Sequence, residues 1–210
     1  SALRSCGRVE VSPGFLLLMA WMLYLDTSGV VPMGILACGL HELGHIIVLR
    51  RFKNDVRLFT LTVFGAEIVP KKGMGYREEF LVAGAGPCVN LFLAGMFARV
   101  PRGETFAGIN LALATLNLLP VRDLDGARIL RCGLAAAVGD RVSAAVSWCL
   151  DFCFTLLFSC AGLWLFLCCG NLTLLLMSFW MLLGSGDEKR SNFLKKNRKR
   201  GCQIRPKKLK

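Results

Sequence analysis

Long apolar runs constrain the fold of this chain more than any other feature of its sequence. Apolar residues make up 54% of the 210 residues, and the mean hydropathy is +0.53, a value that soluble domains rarely reach. A helix needs about 20 apolar residues to cross the hydrocarbon core of a bilayer. We therefore predict an all-α polytopic membrane protein with about six transmembrane helices, at 13–25, 30–50, 80–98, 104–119, 144–166 and 170–184.

The last apolar stretch sets the domain boundary. Residues 144–184 are about twice as long as one span requires, and Gly170-Asn171 divides them into a hairpin of two helices. After this stretch the composition changes abruptly to lysine and arginine. We predict one membrane-embedded domain over residues 1–186 and a basic cytoplasmic tail over 187–210.

Positive charge is distributed unevenly among the predicted loops. If the N-terminus is cytoplasmic, the inner segments 50–79 and 121–141 and the tail hold most of the basic residues. The outer turns then hold only Arg99 and Arg102. This is the positive-inside pattern, so both termini are predicted to be cytoplasmic. The alternative, five spans, would place the basic tail outside.

The basic tail could bind either of two partners. Runs of lysine and arginine often bind nucleic acid. This run, however, begins only a few residues after the last predicted span. Attraction to the anionic headgroups of the bilayer explains that position directly. We predict contact with lipid headgroups and no binding of nucleic acid.

The sequence HELGH lies inside the second predicted span. His41 and His45 are four residues apart, so on a helix both can present a nitrogen to one tetrahedral metal ion. Glu42 lies beside them and can take a proton from a water on the metal. A carboxylate in an apolar span is costly unless it has a use. These residues predict a zinc site rather than a pair of structural histidines.

A zinc hydrolase usually has a third protein ligand. Arg50 places the histidines near the cytoplasmic end of the second span, and the fourth span ends at the same face in NLLPVRDLDG. Pro120 prevents a regular helix there, and Gly126 allows a tight turn beside the carboxylate of Asp125. This topology favours Asp125 as the third ligand. The carboxylates weighed for this role are Glu67, Glu78, Glu79, Asp123 and Asp125.

The two motifs together carry a family resemblance. HELGH in one span and N-x-x-P-x-x-x-x-D-G in a later span resemble the site-2 protease family of intramembrane zinc metalloproteases. The subgroup typified by the stage IV sporulation protein FB peptidase is the most similar. VRLFTLTVFGAEIV, EEFLVAGAGPCVN and GNLTLLLMSFWMLL support the resemblance, which extends over residues 9–190. The family often reads P-L-D-G-G-R, whereas here Asp123 replaces the proline and Ala127 the second glycine. Neither change removes a ligand.

The resemblance implies a metal site and a mechanism. One Zn²⁺ per chain would be held by His41, His45 and Asp125, with Glu42 as the general base for attack by zinc-bound water. Asn117 would position the substrate carbonyl. The alternative for Asn117 is an asparagine at a helix end that satisfies free backbone groups.

A short β-hairpin, cytoplasmic or membrane-reentrant, is predicted after the second span. Residues 56–69 alternate loosely in polarity, and Phe64-Gly65 can form the turn. A helical substrate must be unwound before its peptide bond is exposed, and a free strand edge could hold it as an added strand. Phe64 and Gly65 are therefore predicted to position substrate. The alternative is a plain cytoplasmic hairpin.

Small residues are predicted to support the site. Ala83 to Gly86 would let another helix approach closely, and GPCVN matches a GPxxN element of the family. Asp151, an acid within the fifth span, is predicted to make a polar contact inside the bundle. The residues predicted to be structural near the site are Gly86, Pro87, Asn90, Pro120 and Gly126.

The predicted function is intramembrane proteolysis of a membrane-bound precursor, with a sigma-factor precursor as one candidate substrate. The predicted location is a bacterial cell membrane, with the active site near the cytoplasmic face and with regulatory membrane proteins as further partners. The alternative is a zinc-binding membrane protein without proteolytic activity, either a transporter or an inactive chaperone-like relative. A transporter would spread polar residues along several spans, and an inactive relative would have lost Glu42 or a ligand. A heat-shock-type peptidase would need a downstream E-x-x-x-D helix, which is not evident in the sequence.

Overall fold

The structure, a computed structural model, describes residues 7–62, 65–121 and 124–170 of the chain. Residues 171–184 of the predicted sixth span, the tail 187–210, Phe64 and Asp123 lie outside the described residues. Within the described part the chain is mostly helical, with one three-stranded sheet. The elements are β1 (Arg8–Val11), α1 (Pro13–Leu25), α2 (Val30–Arg51), β2 (Val56–Thr62), β3 (Gly65–Pro70), α3 (Tyr76–Phe97), α4 (Glu104–Asn117), α5 (Asp125–Val138) and α6 (Asp140–Cys169).

Five of the predicted spans coincide with helices. By length and composition, α2, α3 and α6 could each cross a membrane. Helix α1 has 13 residues and α4 has 14, so each rises only about 20 Å, less than a hydrocarbon core of about 30 Å. The number of six transmembrane helices therefore stays a prediction. Helix α6 ends at Cys169, where Gly170 takes a left-handed conformation with φ of 66° at the expected break.

The predicted hairpin is present, and it belongs to a larger sheet. Strands β2 and β3 pair antiparallel, while β1 pairs parallel with β2 on its other side, so β2 is the central strand. A parallel pair needs a crossover of a dozen or more residues, and α1 and α2 supply it. Strand β1 has only four residues and pairs with a distant segment, which is why sequence patterning did not reveal it.

Helix α5 was also not predicted. The predicted topology places residues 121–141 between the fourth and fifth spans, as an inner segment rich in arginine. The chain nevertheless forms a regular helix from Asp125 to Val138. A search for long apolar runs does not find this helix, because few of its residues are buried. The Ser143 hydroxyl at the start of α6 donates a 2.8 Å hydrogen bond to the carbonyl of Arg131 and connects α6 to α5.

Contacts divide the chain into two compact units. The first comprises the chain up to Lys72 together with Arg77–Leu119, and the second comprises Gly73–Tyr76 together with the chain from Pro120 onwards. In the first unit, the HELGH motif lies on α2, which packs against α4. The residues of this unit that are fully buried include small and amide side chains, namely Ala37, Ala83, Asn90, Asn110 and Ala114.

Large apolar side chains are exposed on the helices. Leu17 on α1 is 72% exposed, Phe92 on α3 is 69% exposed, and Leu167 on α6 is 73% exposed. Exposed apolar surface on this scale would be a liability in water, but in a bilayer these side chains contact lipid. Together with the three candidate spans, this surface identifies the chain as a membrane protein.

Candidate metal centre

The two histidines of the HELGH motif lie one turn apart on the buried face of α2. His41 is 5% exposed and His45 is 6% exposed. Their Nε2 atoms are 3.1 Å apart. Two nitrogen ligands at 2.0–2.1 Å from one tetrahedral zinc ion would be about 3.3 Å apart. The observed separation is therefore close to the one that a shared metal ion requires.

The other ring nitrogens of both histidines face hydrogen-bond acceptors. His41 Nδ1 lies 2.6 Å from Asn90 Oδ1, and His45 Nδ1 lies 2.7 Å from the carbonyl oxygen of Val82. Because a carbonyl oxygen only accepts, the Nδ1 atoms carry the protons in neutral rings. The lone pairs are then on the two Nε2 atoms, which point toward each other in a buried site. Two converging lone pairs are the arrangement that a cation stabilises.

Two glycines let α2 and α3 approach at the level of the histidines. A Cβ atom at Gly44, the fourth residue of HELGH, would lie 2.9 Å from Val89 Cγ2. A Cβ atom at Gly86 would lie 2.7 Å from His41 Nε2 and would overlap His45 Nε2. At Gly86 the α3 backbone therefore lies directly against the imidazole rings. Pro87 follows inside α3 and is buried, as is Asn90.

Asp125 is the first residue of α5. The carboxylate lies in the first turn, where the helix dipole favours negative charge, and the side chain is buried. Arg128 Nη1 lies 3.8 Å from Asp125 Oδ1, one turn further along the helix. Gly126 is also buried beside it. Asp125 belongs to the second compact unit, and its role as the third metal ligand stays a prediction.

The remaining predicted site residues have simpler surroundings. Glu42 is half-buried on α2 between the histidines. Asn117, the last residue of α4, donates a 3.0 Å hydrogen bond from Nδ2 to the carbonyl of Leu113 in its own helix. Pro120 is half-buried in the segment that precedes α5. Gly65 begins β3 with a φ of 129°, a backbone conformation that favours glycine.

Sequence reasoning missed two groups that support the histidines. One is the carbonyl of Val82, which cannot be recognised from a sequence because any residue has a carbonyl. The other is Asn110 on α4, whose Oδ1 accepts a 2.8 Å hydrogen bond from Asn90 Nδ2. An amide within the apolar run INLALA was a signal that could have been followed, because a polar side chain in a span usually has a partner.

Known zinc metalloproteases are similar to this chain in sequence. No family model matches the chain. The chain is 30% identical to the zinc metalloprotease Rip3 of Mycobacterium tuberculosis, over 63% of the chain and 37% of Rip3. It is also 30% identical to stage IV sporulation protein FB of Bacillus subtilis, over 58% of the chain and 46% of that protein. The chain thus matches less than half the length of either relative.

A solved structure has the same fold. The site-2 protease from Methanocaldococcus jannaschii superposes with a TM-score of 0.62 at 24% sequence identity. The superposition covers 84% of this chain and 88% of that one. The sequence matches and the shared fold agree with the resemblance carried by HELGH and NLLPVRDLDG. These relatives and the shared fold support the site-2 protease family of zinc metalloproteases as the family that this chain resembles.

Proposed function

We propose that the chain is an intramembrane zinc metalloprotease that hydrolyses a peptide bond in or near a transmembrane segment of a membrane-bound precursor. The observation that carries this proposal is the convergence of His41 Nε2 and His45 Nε2 in a long apolar helix, with both Nδ1 atoms facing acceptors. The zinc metalloproteases among the relatives support it. Bound zinc supplies Lewis-acid catalysis and makes water reactive near neutral pH.

Four side chains are proposed to form the metal and catalytic site. His41, His45 and Asp125 would hold the ion, and Asp125 lies in the first turn of α5, where the helix dipole favours negative charge. Glu42 acts as the general base. Its carboxylate takes a proton from the attacking water and can return that proton to the leaving amine.

The sheet is the proposed substrate-binding element. In a helical substrate the carbonyls are bonded internally, so the peptide to be cut must first be unwound and held extended. Among the described strands β3 lies at an edge, and an extended segment can add to such an edge through main-chain hydrogen bonds. Gly65 and Phe64 are proposed to position the substrate. Asn117 is proposed to contact the substrate carbonyl through its amide.

The proposed location follows from the end of α2. His45 is five residues before Arg50, so it lies about 7.5 Å along the helix from the basic residues that end this span. Those arginines indicate the cytoplasmic side of a bacterial cell membrane, with both termini on that side. The candidate substrate is a sigma-factor precursor cut near its cytoplasmic end. The basic tail would contact anionic headgroups, and regulatory membrane proteins would control access.

The proposal is tested by separating metal binding from cleavage. Wild-type protein purified in detergent should contain about one zinc ion per chain. Glu42→Gln should keep that zinc but stop cleavage of a co-expressed, epitope-tagged sigma-factor precursor that is anchored in the membrane. Glu79→Gln, at the start of α3, is the matched control and should cleave like wild type. Normal cleavage by Glu42→Gln would show that the mechanism is wrong.

A further inference from the structure

Two asparagine side chains are fully buried in the apolar first unit. Asn90 on α3 and Asn110 on α4 are both 0% exposed. A buried amide is costly unless its hydrogen-bonding groups have partners. Here the two amides bond to each other, and one of them continues to His41. The three side chains form a continuous line of hydrogen bonds across α2, α3 and α4.

The direction of these hydrogen bonds is fixed by Asn110, the member of the line that does not contact His41. Asn110 Nδ2 donates a 2.8 Å hydrogen bond to the carbonyl oxygen of Phe106, which can only accept. Asn110 must therefore turn its own oxygen toward Asn90, whose Nδ2 donates to it. The Asn90 oxygen is then the atom that faces His41 Nδ1. Neither amide can flip without placing two donors or two acceptors together.

We infer that Asn90 and Asn110 are positioning residues that hold His41 in the tautomer with the proton on Nδ1, so that Nε2 can bind zinc. This inference rests on the proposed zinc site for its purpose, but the hydrogen-bond relay exists without the metal. A ligating histidine is oriented by the acceptor at its other nitrogen, and such partners commonly contribute to metal affinity. Asn110 acts without touching the ring, through Asn90.

The Nδ1 atom of His45 has a different hydrogen-bond partner, so the inference applies to the tautomer of His41 only. Its Nδ1 faces the carbonyl of Val82, a backbone atom that no side-chain substitution removes. Changes at Asn90 or Asn110 should therefore alter the tautomer of His41 and leave that of His45 unchanged. General damage to the fold would alter both rings.

The direct test is ¹⁵N NMR of the imidazole nitrogens in metal-free, full-length protein in detergent micelles. The chain has only two histidines, so both rings can be assigned with one His45→Gln sample. In wild type, His41 should be protonated at Nδ1. Asn90→Leu and Asn110→Leu should move the proton on His41 partly to Nε2, whereas Asn90→Asp, which keeps an acceptor at this position, should restore the Nδ1 tautomer. Thr115→Val removes a side-chain hydrogen bond on the exposed face of α4 and is the control.

A second measurement connects the tautomer to metal binding. In competition with a chelator, Asn90→Leu and Asn110→Leu should weaken zinc binding by roughly 10- to 100-fold, while Thr115→Val stays close to wild type. If Asn90→Leu does not fold, Asn110→Leu decides by the same two readouts. A wild-type tautomer of His41 in Asn110→Leu would overturn the inference. If wild type binds no zinc but the tautomers shift as expected, the proposed function fails and the relay stands.

Discussion

Gly86 on α3 lies so close to His41 on α2 that a Cβ atom at position 86 would be 2.7 Å from His41 Nε2. Real Cβ atoms essentially never come this near to another heavy atom. The same Cβ atom would overlap His45 Nε2. Since these nitrogens are the proposed ligand atoms, position 86 has space for a hydrogen atom and for nothing larger.

Gly86→Ala should therefore weaken zinc binding. The added methyl group must displace the imidazole rings or separate α2 from α3, so we expect a loss of roughly tenfold or more in zinc affinity, measured by chelator competition. Overpacking of this kind also costs about 1–3 kcal/mol of stability. Gly95→Ala makes the same change in the same helix, where the added Cβ atom would meet none of the described residues within 4 Å, and should bind zinc normally. Wild-type affinity in Gly86→Ala would contradict the assignment of the Nε2 atoms as ligands.

The elements that hydropathy could predict are those defined by apolar length. Helices α2, α3 and α6 lie where long apolar runs placed them, because burial in lipid needs only a sufficient number of apolar residues. Strand β1 and helix α5 did not follow from such a search. The first is stabilised by parallel pairing with a distant strand, and the second buries only one face. Both depend on tertiary contacts that local composition does not encode.

In the metal site, too, features of a single helix could be predicted from the sequence, whereas contacts between helices could not. The spacing of His41 and His45 is a property of one helix, so the motif alone predicted that they share a face. The GPCVN sequence predicted close packing at Gly86, and the structure shows that the packing is against the imidazoles. The partnership of Asn90 with Asn110 required three helices to be placed together, and no spacing within one segment reveals it.

Asp125→Asn should remove zinc from the purified protein. An amide is a far poorer zinc ligand than a carboxylate. Replacing a residue that only orients a ligand typically lowers metal affinity by roughly 10- to 100-fold, and we expect a larger loss for Asp125→Asn. Arg128, 3.8 Å from Asp125 Oδ1, would also lose its charged partner. The measurement is zinc per chain by elemental analysis. Asp123→Asn is the control and should keep zinc; the reverse result would make Asp123 the third ligand.

Asp26 should give the α1–α2 loop a stability that depends on pH. Desolvation raises the pKa of Asp26, but hydrogen bonds from the hydroxyl and N–H of Ser28 and from the N–H of Val31 outweigh it and lower the pKa below 3.8. A lowered pKa stabilises the fold fully above the ordinary value, and this stabilisation is lost as pH falls through the folded-state pKa. Asp26→Asn should therefore melt at a lower temperature than wild type at pH 7. In thermal unfolding at pH 3 the difference should narrow; an unchanged difference would contradict this account.

Gly65→Ala should impair cleavage without removing zinc. Gly65 begins β3 with a φ of 129°, so alanine would strain the backbone by about 1–3 kcal/mol. A Cβ atom there would meet none of the described residues within 4 Å, so the strain would come without a steric clash among them. The strain should weaken the end of the β2–β3 hairpin, where Thr62 Oγ1 donates a 3.0 Å hydrogen bond to the Gly65 carbonyl. We expect slower cleavage of the membrane-anchored precursor at unchanged zinc content. Gly75→Ala is the matched control, because Gly75 has no positive φ and a Cβ atom there would also meet no residue of the described part of the chain within 4 Å. Full cleavage by Gly65→Ala would contradict the proposal that this hairpin holds the unwound substrate.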